Sequence, residues 1–215
     1  DRGPRSRGHA PRWHGILPRP AAPALRTALR GHLTQRYLVA LGSNMRVSGV
    51  GGPRKVLGAA VDAMQTAGLA VECVSPTLDT VPIGPSHRRF ANAAAIVSSD
   101  LDPPLFLAAL QDIERAFGRR RRGQPWRARP LDLDIVLWSG DVWDDRNLAI
   151  PHRSFAIRDF VLGPASRVAP EWRDPDSGLT IRQLHARLTA RRPLPRCAAV
   201  VGPLAQSVEQ LTFNQ

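Results

Sequence analysis

The sequence predicts an α+β fold of ferredoxin-like type, a βαββαβ sandwich with an antiparallel sheet, helices on one face and a further C-terminal helix. Two observations carry this. Apolar segments follow one another in the order strand, helix, strand, strand, helix, strand. Both helical segments begin on a proline, Pro53 or Pro103, and stop on a glycine, Gly68 or Gly118.

Regular structure starts at Tyr37-Leu-Val-Ala-Leu41, a short apolar run stopped by Gly42, Ser43 and Asn44, as in a buried strand. After a glycine-rich link, a helix beginning near Pro53 sets Val56, Ala60, Ala63 and Ala67 along one face. Leu69 to Val74 alternates as a strand does. Ala91 to Val97 is the next strand, and Asp102-Pro103 offers an N-cap followed by proline at the first helical position. Phe106, Leu110, Ile113 and Phe117 then recur at helical spacing. Leu131 to Trp138 reads as a strand and Thr180 to Leu188 as the last helix.

A chain of 215 residues suffices for one domain with tails. Residues 1–36 mix Arg, Pro, Gly and Ala without a sustained period and are expected to be a basic, disordered extension; 37–190 form the domain; 191–215 are expected to be a second disordered tail. A transit peptide is the alternative for the leader, against which stand its low Ser content and lack of an amphipathic repeat. The formal charge of +12 falls in two islands, eight Arg against one acid in residues 1–36 and six Arg with no acid from Arg119 to Arg129. Two islands do not make the continuous stripe that tracks a phosphate backbone, so nucleic acid is not an expected partner. Cys73 and Cys197 lie far apart in no metal-binding spacing, which fits a reducing cytoplasm. No apolar run is long enough to cross a bilayer, and no signal-peptide core is present, so a soluble cytoplasmic protein without a membrane partner is expected.

The sharpest local feature is Leu131-Asp132-Leu133-Asp134-Ile135. Carboxylates two residues apart on a strand point to one side, and a desolvated pair repels itself unless a cation sits on that face. Mg2+ with nucleotide phosphates is the natural cation; salt bridges to neighbouring Arg, or a solvated face, are the alternatives. Just upstream lie Arg119, Arg120, Arg121, Arg122, Trp126, Arg127 and Arg129. Planar guanidiniums suit phosphate oxygens, although an Arg run taken alone is more often a solvated loop.

With these residues the chain resembles the hydroxymethyldihydropterin pyrophosphokinases. Trp126-Arg-Ala-Arg129-Pro-Leu-Asp132-Leu-Asp134-Ile-Val is similar to their signature, whose usual form has Trp-Gly-Pro-Arg ahead of the paired Asp. Further blocks match in the same order: Ala40-Leu-Gly-Ser-Asn44, Thr80-Val-Pro-Ile-Gly84-Pro, and Phe90-Ala-Asn92-Ala-Ala. Gln111-Asp-Ile-Glu114 with Gly118-Arg119, Ile150-Pro-His152, and Arg158-Asp-Phe160-Val-Leu complete the series. The resemblance covers about Tyr37 to Leu188, and its strength lies in the ordered set, since Gly-Ser-Asn alone is more often just a turn.

The resemblance implies Mg-dependent transfer of pyrophosphate from ATP to 6-hydroxymethyl-7,8-dihydropterin, giving the pterin diphosphate and AMP on the way to tetrahydrofolate. It implies two Mg2+ ions on Asp132 and Asp134, with Arg119, Arg121 and Arg129 stabilising the transferring and leaving groups. Nucleotide contacts fall on Gln111, Glu114, Arg121, Arg122, Trp126, Arg129, Ile135, Ala149, His152 and Arg158. The flat pterin would stack between Phe90 and Phe160, its edge read by Asn92 and by Thr80, Val81, Ile83 and Gly84, with Trp126 closing over both substrates. Core packing is the alternative for the two Phe, and a structural or merely exposed role for His152. A monomer binding these two small molecules is expected.

The chain departs from the family pattern at Arg127, which replaces the usual Gly, at Pro125 before Trp126, and at Asn147, where an Arg is common, with Arg146 beside it. The link from Met45 to Lys55 is longer and richer in Gly than usual, and Ser86 to Arg89 is short and basic. A catalytically impaired relative therefore stays open beside the active enzyme. A basic nucleic-acid-binding module is the third reading, opposed by acids placed on a central strand of the sheet.

Overall fold

The computed structural model describes residues 34–81, 88–119 and 129–190. The expected disorder of residues 1–33 and 191–215 lies outside the described residues. So do Ile83, Gly84, Arg121, Arg122 and Trp126.

The central strand β1 (Gln35–Ser43) begins two residues ahead of Tyr37. It pairs antiparallel with β4 (Phe90–Ser99) on one side and β5 (Asp132–Trp138) on the other, while β2 (Ala70–Val74) pairs with the far side of β4. β3 (Leu78–Thr80) continues that outer edge by pairing with the start of β4. The order β2-β4-β1-β5 is that of a ferredoxin-like sheet and makes β5 an edge strand, where the sequence reading set its acids at the centre.

β1 is apolar over a continuous run because both of its faces are covered. Tyr37, Val39 and Leu41 pack against α1 (Pro53–Thr66) and α2 (Pro103–Ala116), the two helices expected on one face. The Tyr37 ring stacks on Phe106 with centroids 3.9 Å apart, and its hydroxyl donates to the Leu101 carbonyl at 2.7 Å. Burial pushes that phenol far above its ordinary pKa, with the charge of Asp102 adding to it. Asp102 caps α2 by accepting the Leu105 N–H at 3.0 Å. Gly118 ends it at φ +90°, a conformation that favours glycine.

The opposite face carries a layer that the sequence reading held only in part. Leu38, Ala94, Ile96 and Val136 pack there against α3 (Asp159–Val168) and α4 (Ile181–Thr189). The helix expected at the C-terminus is α4, opened by a capping box between Thr180 and Gln183; α3 is additional. β2 does not alternate: four of its five residues are exposed, and its pairing with β4 slips between Val71 and Cys73. A short hairpin, β6 (Trp143–Asp144) with β7 (Ala149–Ile150), leads from β5 to α3.

Candidate active site

The site is built around the first half of β5. Leu133 and Ile135 are buried beneath α1 and α2, so the intervening Asp132 and Asp134 project from the other face of the sheet. The register then slips, with Val39 opposite Ile135 and Leu38 opposite Leu137, which leaves Val136 as the extra residue. Val136 continues the acid-bearing face into the α3–α4 layer, and the bulge sets Leu137 on that face as well. Across the sheet Asp132 lies opposite Gly42, which lies opposite Asn92; in the next row are Asp134, Ala40 and Ala94. A Cβ on Gly42 would meet Asn92 Oδ1 at 3.6 Å and Asp132 Cβ at 3.8 Å, ordinary contacts, so glycine here leaves open space between two polar side chains.

Two guanidiniums converge on Asp132. Arg119 Nη1 meets Asp132 Oδ1 at 2.6 Å and also pairs with Glu114 Oε1; Arg129 Nη1 meets Asp132 Oδ2 at 2.5 Å. Glu114, only 2% exposed, turns from the end of α2 to the open edge of β5, where its Oε1 accepts the Leu133 N–H at 2.8 Å. Among the described strands that N–H has none to pair with, so the carboxylate fills a neighbour's place.

The electrostatics are those of too many acids in too little water. Burial raises the Glu114 pKa, and Asp132 and Asp134 raise it further, against the Leu133 N–H and Arg119, which lower it. Burial also raises Asp134, with the charge of Asp132 adding to it and His152, Arg119 and Arg129 opposing. For Arg129 burial works against the charged form, yet Asp132, Asp134 and Glu114 outweigh it and hold the guanidinium above its ordinary pKa. Among the described residues no three His, Cys, Asp or Glu side chains converge as a metal cage. A Mg2+ ion that arrives with phosphates needs only one or two carboxylates, and Asp132 and Asp134 are oxygen donors on one face.

The remaining candidates surround this centre unevenly. Asn92, 5% exposed, donates from Nδ2 to Thr80 Oγ1 at 2.9 Å, whereas Val81 is exposed. Phe90 starts β4 and Phe160 lies in the first turn of α3, both half-buried, with the Arg158 guanidinium 5.9 Å from the Phe160 ring centre. His152 N–H donates to the Val136 carbonyl at 3.0 Å, and its Nδ1 accepts the Ser154 N–H at 3.3 Å. Gln111 lies one turn before Glu114 on α2, and Ala149 in β7. The Ile135 side chain points into the core, away from the carboxylates, so a ligand can meet this residue only through its backbone. Asn147 is exposed in a turn held by Asp145, which accepts its N–H at 2.7 Å.

Sequence reasoning quoted Ser43 and Asn44 in a block shared with the family but gave them no role beyond a turn; they are buried at 0% and 3%. Asn44 Oδ1 accepts the Arg129 N–H at 2.8 Å, and Ser43 Oγ donates to the Pro130 carbonyl at 2.6 Å. The available signal was two polar residues directly after a buried strand.

Residues 38–170 match the sequence profile of 7,8-dihydro-6-hydroxymethylpterin-pyrophosphokinase (HPPK). The chain belongs to this family. The 2-amino-4-hydroxy-6-hydroxymethyldihydropteridine pyrophosphokinase of Pseudomonas aeruginosa is 39% identical over 146 residues, 67% of this chain and 86% of that one. Its namesake from Synechocystis is 37% identical over 127 residues, 59% of this chain and 65% of that one. The fold is that of the Plasmodium falciparum HPPK-DHPS crystal structure with pteroate, at TM-score 0.55 and 14% identity, covering 74% of this chain and 45% of that one. This chain thus spans less than two thirds of the latter two. The profile contains every site residue discussed, from Ser43 to Phe160, while α4 lies beyond it. Members of the family are transferases, and no described helix of this one is long and apolar enough to cross a membrane.

Proposed function

We propose that this chain transfers the pyrophosphoryl group of ATP to the hydroxymethyl oxygen of 6-hydroxymethyl-7,8-dihydropterin, giving the pterin diphosphate and AMP in folate synthesis. The observation that carries the reading is two carboxylates, Asp132 and Asp134, on one face at the head of an edge strand with two guanidiniums beside them; the ion pairs of Arg119 and Arg129 with Asp132 are those of the salt-bridge alternative and would have to open for an ion to bind there. The oxygen–phosphorus bond forms as the bond from the β-phosphorus to the α-phosphate oxygen breaks, and the hydroxyl proton leaves to solvent.

Asp132 and Asp134 would hold two Mg2+ ions, which when bound neutralise the phosphate oxygens. The fit rests on hard oxygen donors on one face, beside carboxylates that burial first and neighbouring acid charge second push toward the neutral form. Each guanidinium meets Asp132 through Nη1, and the further donors of a planar guanidinium suit phosphate oxygens. On the open edge of β5, the Leu133 N–H points outward to Glu114; the Ile135 backbone, two residues on, has the same outward direction and suits the edge of a nucleobase. Asn92, oriented by Thr80 across Gly42 from Asp132, suits the edge of the pterin.

In this reading the catalytic unit runs from Gln35, where β1 begins, two residues ahead of the expected boundary, to residue 190, and acts as a cytoplasmic monomer. The nucleic-acid reading loses support because the sheet face that an RNA-binding module of this topology uses is here partly covered by α3 and α4 and carries Asp132 and Asp134 where it is open. The test is AMP formation from ATP and Mg2+ with and without the pterin. Pterin-dependent AMP supports the proposal; none from a folded protein points to the impaired relative and to Arg127, Pro125 and Asn147.

A further inference from the structure

The pairing of β1 with β5 ends at Gly42 and Asp132, yet the chain just before Asp132 is not left loose. The Asn44 N–H donates to the Arg129 carbonyl at 3.3 Å, while Asn44 Oδ1 accepts the Arg129 N–H at 2.8 Å. Pro130 has no N–H, and its carbonyl accepts the Ser43 hydroxyl at 2.6 Å. Ser43 and Asn44 are both buried, so one end of each of these bonds is shielded from competing water. Every backbone polar group of Arg129 and Pro130 is thereby held by the two residues that follow the last strand pair. One backbone bond and two side-chain bonds thus continue the ladder past the last strand pair.

We infer that Asn44, with Ser43, is a positioning residue for Arg129: it fixes the backbone from which this guanidinium reaches Asp132 and the transferring group. The role of Arg129 in that statement rests on the pyrophosphokinase reading; the clamp itself does not. Arg129 and Asp132 are three residues apart and joined at 2.5 Å, so a shift of the Arg129 backbone is carried directly to its charged end. Misplacement by about 1 Å lowers a rate by up to roughly 100-fold. A merely structural Asn44 would close the end of the sheet and affect stability alone.

Two readouts separate these roles. Steady-state constants are measured for wild type, Asn44→Ala, Asn44→Asp, Arg129→Ala and the Asn44→Ala, Arg129→Ala double variant. Amide hydrogen exchange at Arg129 is followed by NMR, with Leu38 and Val39 as core references. Asn44→Ala is expected to lower kcat by roughly 10- to 100-fold while KM for ATP changes little. Asn44→Asp, which keeps an acceptor for the Arg129 N–H, restores most of it. In the Arg129→Ala background the same change has almost no further effect, and Arg129 exchange accelerates in Asn44→Ala while the core amides stay protected. An equal loss in both backgrounds, or unchanged exchange at Arg129, overturns the inference. If wild type shows no pterin-dependent turnover, the functional reading has failed, and hydrogen exchange alone decides on the clamp. Should Asn44→Ala not fold, Asn44→Asp and Ser43→Ala carry the same comparison.

Discussion

Replacing Glu114 by alanine tests whether the edge of β5 and the arginine cluster depend on one buried carboxylate. Its removal orphans the Leu133 N–H, at a cost of about 1–3 kcal/mol. It also breaks the pair with Arg119, a loss below the roughly 3–5 kcal/mol of a wholly buried pair, because Arg119 keeps Asp132 and its side chain is 21% exposed. Relief of the burial that raises the Glu114 pKa works in the other direction. The net expectation is about 3 kcal/mol, or roughly 6–12 °C in Tm for a domain of this size. Glu114→Gln keeps an acceptor for Leu133 without the charge, so its loss is expected to stay near 1 kcal/mol. Urea unfolding followed by circular dichroism measures both. Gln as damaging as Ala, or an Ala variant indistinguishable from wild type, refutes the reasoning.

Burial holds Glu114 and Asp134 above the ordinary carboxylate range, so the folded state binds their protons more tightly than the unfolded chain does. Their contribution is therefore most favourable at and below the ordinary carboxylate pKa and is lost as pH rises through the raised values. Asp132→Asn removes a charge that raises both, so the difference in stability between variant and wild type should change with pH in that window; a constant offset would contradict the assignment. Asn92→Ala should raise the KM for the pterin about tenfold, the value of one buried hydrogen bond, and leave the KM for ATP unchanged; equal effects on both substrates would remove Asn92 from the pterin edge. A Cβ at Gly140 would come within 2.2 Å of the Trp138 ring, which stacks with Tyr37 and meets Trp143 edge-on. Gly140→Ala should thus cost about 1–3 kcal/mol and alter the near-ultraviolet circular dichroism; an unchanged spectrum and Tm would show that the ring moves freely.

The elements legible in the sequence are those whose ends carry their own chemistry. Pro53 and Gly68 bound α1, Asp102 and Gly118 bound α2, and Thr180 with Gln183 opens α4. α3 was hidden because Gly163 and Pro164 sit inside it; burial of Leu162 and Ala165 against the sheet overrides their poor propensity. β3, β6 and β7 are two or three residues long, too short for any period to show. Within the site, the shared face of Asp132 and Asp134 follows from the two-residue repeat of a strand. The burial of Glu114 does not follow from its helix: it depends on the end of α2 meeting the unpaired edge of β5, and edge position is a property of strand order. For the same reason the placing of the acids on a central strand failed. Ser43 and Asn44 read as a turn because their partners, Arg129 and Pro130, lie more than eighty residues away.

The central claim is that Asp132 and Asp134 serve transfer of two phosphoryl units together, and phosphorus NMR of the products tests it most directly. Wild type with ATP, Mg2+ and 6-hydroxymethyl-7,8-dihydropterin should yield AMP and a pterin diphosphate in equal amounts, and a folded Asp132→Ala, Asp134→Ala double variant should yield neither. ADP with a pterin monophosphate, or undiminished AMP from the double variant, would contradict the account.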